Sequence, residues 1–200
     1  MRTSTRMTTP AAVLLMILAA AEAHAQQTIV FMRHGEKPSG GYGQITCQGL
    51  NRALQLPDVL LAKFGKPNYI YAPNPTVKIS DPAGSFYYLR PLATIEPTAV
   101  RVGVNVWTRY GYNDIVSLQS SLINATKANS TIFVAWEHAY LQKTVQNIMN
   151  AYGGRAVVPA WVSGDYDTLL VVNVDYTGST ITARFHTDRE GLNNQLTSCP

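Results

Sequence analysis

Short apolar runs of strand length alternate along the chain with longer stretches whose apolar residues recur at helical spacing. Thr28 to Met32 is the first run, and it stops at Arg33-His34-Gly35-Glu36. Past a glycine-rich loop, Ser39 to Gly43, Thr46 stands as a helix cap ahead of Leu50, Ala53, Leu54, Leu56, Leu60 and Leu61, which predict a helix to Phe64. Pro57 predicts a kink or interruption in it, and Gly65-Lys66-Pro67 ends it. Tyr69 to Ala72 predicts a second strand, and Pro73 to Gly84, with three prolines, predicts irregular chain. Leu89 to Val102 follows as a helix carrying Pro97, then Val104 to Trp107 alternates as a strand. Asn113 or Asp114 is placed to cap a helix to Ala128 whose buried face is Ile115, Leu118, Leu122 and Ile123. Thr131 to Ala135 predicts a strongly apolar strand, and Tyr140 to Tyr152 a helix stopped by Gly153-Gly154. Leu169 to Val174 and Thr180 to Phe185 predict two closing strands around a turn at Thr177-Gly178.

Strands alternating with helices predict an α/β fold: a three-layer sandwich, mostly parallel in its central sheet, with an antiparallel addition at the end. In such sheets ligands bind beyond the carboxyl ends of the strands. Arg33 and His34 sit at one such end, and Glu137-His138 follows the strand Thr131 to Ala135 in the same way. Both histidines are therefore expected on one edge of the sheet, with Arg90, at the start of a helix, directed into the same crevice.

The first residues change the domain picture. Arg2 and Arg6, the apolar stretch Ala11 to Ala21 and the small-x-small pattern Ala23-His24-Ala25 read as an export signal spanning residues 1–25. The apolar stretch falls short of the roughly 20 residues that cross a bilayer, so no stable membrane insertion is expected. Cleavage near Ala25 leaves residues 26–200 as a single domain, and periplasmic or secreted placement follows. Loss of Arg2, Arg6 and Glu22 takes the formal charge from +4 to +3. That mild basicity suits a small anionic partner, while the lack of a Lys/Arg cluster with interleaved aromatics argues against nucleic acid. An oxidising compartment makes a bridge between Cys47 and Cys199 an expectation, with two buried free thiols as the alternative.

Two arginines and two histidines in one crevice make a cationic, donor-rich pocket suited to a phosphoryl group. At this point the chain resembles the histidine phosphatase superfamily, also called phosphoglycerate-mutase-like. Arg33-His34-Gly35-Glu36 is similar to its first motif, and Thr46-Cys47-Gln48-Gly49-Leu50-Asn51-Arg52-Ala53 is similar to its Leu-Thr-x-x-Gly-x-x-x-Ala helix start. Arg90 to Ala99 is similar to its Arg-x-x-x-Thr segment, and His138 falls where its second histidine belongs. The resemblance implies a phosphoglycerate-mutase-like fold in which His34 attacks phosphorus while Arg33, Arg90 and His138 grip the phosphoryl oxygens. It implies a metal-independent phosphatase with no cofactor, acting on a small phosphorylated substrate, a phosphomonoester or phosphoanhydride, and binding phosphate ion.

The chain departs from the pattern around the second histidine, with Glu137 before it and Ala139 after. Glu137 is the first candidate for proton donor to the leaving oxygen, because partial burial raises a carboxyl pKa unless neighbouring cations pull it down. Asp114 and then Glu96 are the rivals. The segment between Tyr71 and Arg90 is longer than the compact family arrangement, which brings in Arg101 or Lys78 as substitutes for Arg90. Glu36 is expected to hold its loop through backbone or an arginine, and His186 to be structural or exposed. The alternative function is a phosphate-binding module of the same fold with weak turnover, recognising a phosphorylated envelope component. A metal hydrolase is the third class, and the chain has neither a His-x-His nor a His-x-x-x-His spacing to support it.

Overall fold

The structure, a computed structural model, describes residues 24–200. Most of the expected export signal lies outside the described residues. His24 and Ala25 are described, and they extend the first strand, opposite Thr177 and Tyr176.

A six-stranded sheet is built from β1 (His24–Arg33), β2 (Tyr69–Tyr71), β5 (Val106–Trp107), β6 (Thr131–Trp136), β7 (Thr168–Thr177) and β8 (Thr180–Arg189) in the order β5-β2-β6-β1-β7-β8. The pairs β5·β2, β2·β6 and β6·β1 are parallel, and the two closing strands add antiparallel, β7 on β1 and β8 on β7. Helices α1 (Cys47–Phe64) and α2 (Arg90–Val102) cover one face, and α3 (Ile115–Leu122) and α4 (His138–Tyr152) the other. The sandwich explains the continuous apolar run of β1. Ile29 and Phe31 pack toward α3 and α4 with Val134, Leu118 and Val145, whereas Val30 and Met32 pack toward α1 and α2 with Leu56, Leu60 and Ile95. Among the described residues no helix is long and apolar enough to cross a membrane.

Helix starts follow their caps. Thr46 Oγ1 accepts from the Gly49 amide at 3.1 Å, and Asp114 accepts from the Ser117 amide at 3.3 Å. Pro57 does not interrupt α1 as expected: the helix runs on to Phe64 with Pro57 buried. A helix-interior proline costs about 3 kcal/mol, but Ala53 and Leu56 before it and Leu60 after it are fully buried, so packing holds both halves in line. Pro97 is carried through α2 in the same way, between buried Thr94, Ile95, Thr98 and Ala99. The third helix is shorter than expected, with a separate 3-10 turn at Ala125–Lys127.

The segment expected to be irregular contains an ordered hairpin, β3 (Lys78–Asp81) and β4 (Gly84–Tyr87), paired from Lys78↔Tyr87 to Asp81↔Gly84. Its strands are short and mostly exposed, so they show no buried period-2 stripe; the turn residues Pro82-Ala83 between them were the readable signal. Cys47 and Cys199 form a disulfide, which fixes the end of the chain to the first residue of α1. Asn51 Nδ2 donates to the Leu196 and Ser198 carbonyls beside it, at 2.7 and 2.8 Å.

Candidate active site

Strands β1 and β6 are parallel neighbours in register, with Arg33 opposite Trp136. The His34 amide donates to the Trp136 carbonyl at 3.2 Å. The chain therefore leaves the sheet at His34 and at Glu137-His138 from adjacent strands on the same edge. Helix α2 starts at this edge: the Gly35 amide donates to Thr94 Oγ1 at 2.8 Å, and the same hydroxyl donates to the Arg90 carbonyl at 2.8 Å. One threonine thus docks the loop carrying His34 on the first turn of the helix carrying Arg90.

His34 is 2 % exposed. Its Nδ1 lies 2.7 Å from the Gly35 carbonyl oxygen, which can only accept, so Nδ1 carries the proton and Nε2 keeps its lone pair. Burial pushes the imidazole well below its ordinary pKa, and the Arg90 and Arg33 charges push in the same direction against the raising effect of the Gly35 carbonyl. Two tyrosine–arginine pairs flank the ring. Tyr88 stands edge-on at 6.2 Å with the Arg90 guanidinium 4.8 Å from its ring centre. Tyr166 lies at 6.1 Å with the Arg33 guanidinium 4.0 Å from its ring centre.

Both arginines are anchored at Nη1 and unpaired at Nε. Arg33 Nη1 donates to the Ser163 carbonyl at 2.5 Å and the Asp165 carbonyl at 3.0 Å. Arg90 Nη1 donates to Asp81 Oδ2 at 2.7 Å and to the Gly41 carbonyl at 3.2 Å, and its Nη2 donates to Asp81 Oδ1 at 3.1 Å. The Nε of each is buried with no hydrogen-bond partner among the described residues. Arg52 is the contrast. Its Nε and Nη2 bond Glu36 and its Nη1 bonds Glu190 at 2.6 Å, with Asp167 at 3.5 Å, so every edge of that guanidinium is used inside the fold. Glu36 accordingly holds its loop through an arginine. A buried donor without an acceptor is costly in a folded protein, and Arg33 and Arg90 each present one beside His34.

The second histidine is less enclosed. His138 Nδ1 lies 2.7 Å from Glu137 Oε1, a close approach outside hydrogen-bond geometry, with the side chains 28 % and 12 % exposed. Glu137 is also the cap of α4, its Oε2 accepting from the Ala139 and Tyr140 amides at 2.8 and 3.0 Å. Burial pushes this carboxyl up, but the His138 contact and the two amides outweigh it and hold the pKa below the ordinary value. The direction is opposite to that required of a proton donor, and its causes are His138 first and the helix end second, rather than the arginines.

The other sequence candidates lie apart. Asp114 is exposed and engaged as the cap of α3, and Glu96 is exposed on α2. Arg101 is exposed and pairs with Asp58 at 2.6 Å, and Lys78 is exposed on β3, so neither stands in for Arg90. His186 is exposed on β8. Sequence reasoning missed Asp81, Tyr88 and Tyr166. Tyr88 sits two residues before Arg90, and that closeness was its one available signal.

No protein-family model matches the sequence, and no curated protein matches it. Solved structures share its fold. The phosphohistidine phosphatase SixA of Nakamurella multipartitia superposes with a TM-score of 0.55 at 17 % identity, over 84 % of this chain and 98 % of that one. The mycobacterial glucosyl-3-phosphoglycerate phosphatase in complex with inorganic phosphate gives 0.51 at 12 % identity, over 80 % and 95 %. The phosphoglycerate mutase of Plasmodium falciparum gives 0.50 at 11 % identity, over 80 % and 89 %. The chain has the phosphoglycerate-mutase-like α/β fold.

Proposed function

We propose that this chain is an exported phosphatase that hydrolyses a phosphomonoester or phosphoanhydride through a phosphohistidine on His34, without a metal ion. The observation that carries the reading is the pair of unpaired, buried Nε–H donors on Arg33 and Arg90 beside a neutral imidazole whose Nε2 is free. Three of the structures that share its fold are of a phosphohistidine phosphatase, a glucosyl-3-phosphoglycerate phosphatase with inorganic phosphate and a phosphoglycerate mutase.

In this reading His34 Nε2 forms a bond to phosphorus as the bond to the leaving oxygen breaks. The Nδ1 proton, held by the Gly35 carbonyl, stabilises the imidazole as it becomes cationic. Charge spreading over the equatorial oxygens meets Arg33, Arg90 and His138, donors fixed before the reaction, so little reorganisation is needed. Glu137 stands against His138 Nδ1 and caps the helix instead of giving up a proton. The leaving oxygen takes its proton from water on the side of His138, where the site is more open. A second water then attacks phosphorus, the P–N bond breaks, and inorganic phosphate leaves.

Export rests on the signal pattern in residues 1–25, and the Cys47–Cys199 disulfide suits a periplasmic or secreted protein. Cleavage after Ala25 leaves Gln26–Arg33 in the sheet.

A specific observation favours the second reading, a phosphate-binding module with weak turnover that recognises a phosphorylated envelope component. Glu137 and Asp114, the two carboxylates expected to donate a proton, both cap helices. One experiment separates the readings: the protein lacking residues 1–25 is incubated with an aryl phosphate in excess chelator beside a His34→Ala variant. Chelator-resistant turnover that disappears in the variant is the expected result. Phosphate binding without turnover at any pH selects the module, and a metal requirement overturns both.

A further inference from the structure

Tyr88 joins β4 to α2 and is completely buried, yet among the described residues its hydroxyl has no partner in hydrogen-bond geometry. Leaving a buried hydroxyl unpaired costs about 1 to 3 kcal/mol. Its ring is fixed on three sides, edge-on to His34 at 6.2 Å, under the Arg90 guanidinium at 4.8 Å, and edge-on to Tyr112 at 5.3 Å. The hydroxyl lies within electrostatic reach of Arg90, Glu137 and Arg33, and Arg90, a donor only, approaches its oxygen closely, which leaves the O–H proton without an acceptor. Its unpaired state is shared by Arg33 Nε and Arg90 Nε. Three donors, each buried and without an acceptor, therefore stand around one imidazole.

We propose that Tyr88 is a further catalytic residue, whose hydroxyl donates a hydrogen bond to a non-bridging oxygen of the phosphoryl group held between Arg33 and Arg90. The inference rests on the phosphoryl-binding reading of the site and extends it by one neutral donor. A tetrahedral oxyanion is an acceptor on every face, so it satisfies all three groups at once; each of the two arginines has its Nη1 end occupied by protein acceptors. Burial raises the phenol pKa far above its ordinary value, and the hydroxyl keeps its proton throughout the reaction. No proton is transferred, so Tyr88 stabilises the phosphoryl oxygens without acting on the leaving group. A neutral donor adds no charge, and the electrostatic environment that keeps His34 unprotonated is undisturbed. Tyr166 is only partly buried, so a role drawn from a buried hydroxyl does not extend to it.

The test is Tyr88→Phe in the full protein lacking only residues 1–25, with three measurements. The first is calorimetric affinity for inorganic phosphate, expected to weaken about tenfold. The second is kcat/KM on two aryl phosphates with leaving groups of different acidity, expected to fall about 100-fold, as for loss of one transition-state donor, and equally for both. The third is thermal stability, expected to hold or rise because an unpaired buried hydroxyl has been removed. Unchanged phosphate affinity and unchanged kcat/KM overturn the inference, as does a loss confined to the poorer leaving group, which marks a proton donor. A lowered melting temperature with proportionate loss of all functions also overturns it, by showing a structural role. If the unsubstituted protein binds phosphate but does not turn over, the hydrolytic reading falls while phosphate affinity still decides the role of Tyr88. If it does not bind phosphate, both fall.

Discussion

Asp81 closes on Arg90 as a two-point carboxylate–guanidinium pair, with Oδ2 2.7 Å from Nη1 and Oδ1 3.1 Å from Nη2, and each side chain only 2 % exposed. The pair uses the end of the guanidinium and leaves the Nε edge free. Asp81 belongs to the β3–β4 hairpin, and Oδ2 also accepts from the Gly43 amide at 2.9 Å. The hairpin therefore determines which edge of Arg90 faces the site. Such a planar, bidentate arrangement fixes orientation in a way a lysine at this position cannot.

Removing the carboxylate leaves a buried, uncompensated cation. Asp81→Ala is expected to lower stability by about 3 to 5 kcal/mol and to raise KM for an aryl phosphate as Arg90 loses its orientation. Gly41→Ala provides an independent check, because a Cβ at Gly41 falls 2.2 Å from Asp81 Cγ on a backbone with φ +79°. It is expected to shift KM in the same direction. Chemical denaturation and steady-state kinetics on both variants check this, and an Asp81→Ala protein of native stability and native KM contradicts the role.

His34 is held neutral by burial first and by two arginines second, so the proposed mechanism requires it to act as nucleophile below its ordinary pKa. The expected kcat/KM profile, corrected for substrate ionisation near pH 6, shows no acid limb with a midpoint near 6.5, the ordinary histidine value. Rates measured from about pH 5 to 9 check this. An acid limb at or above that ordinary value contradicts the account of the site.

Glu190 makes a separate statement about stability. It is 3 % exposed, and burial pushes its carboxyl up to about 8, although Arg52 at 2.6 Å pulls the other way. The folded protein therefore keeps a proton that the unfolded chain releases above the ordinary value of 4.5, and this contribution to stability is lost as pH rises through about 8. Glu190→Gln removes the titration. The melting temperature of the variant relative to the unsubstituted protein is expected to rise between about pH 5 and 8.5. His34 works in the opposite sense below 6.5, since only the unfolded chain takes up its proton there, but it is common to both proteins and cancels. A difference that stays constant with pH contradicts the assignment.

Much of the scaffold is readable without coordinates because it depends on local rules. The apolar run at Thr28 to Met32, the cap at Thr46 and the stop at Gly153 each predict their element from a few neighbouring residues. Arg33-His34 and Glu137-His138 are legible because each follows a strand, and parallel pairing of β1 with β6 brings both ends together. What stays hidden depends on partners distant in sequence. The carboxylate of Asp81 gains its meaning from Arg90 and Gly43, whereas Glu137 gains its own from near neighbours, the amides of a helix that starts two residues before it was expected to. Arg52 and Arg90 look alike in the sequence, and only their partners separate the saturated arginine from the one with a free edge.

The central claim is that His34 carries the phosphoryl group during turnover. Rapid mixing with an aryl phosphate, an alkaline quench that preserves phosphohistidine, and peptide mass spectrometry test it directly. The prediction is one phosphoryl group on the peptide containing His34, formed within a single turnover, absent from His34→Ala and strongly reduced in Arg33→Ala. Turnover with no phosphorylated peptide, or with the group on His138 instead, contradicts it.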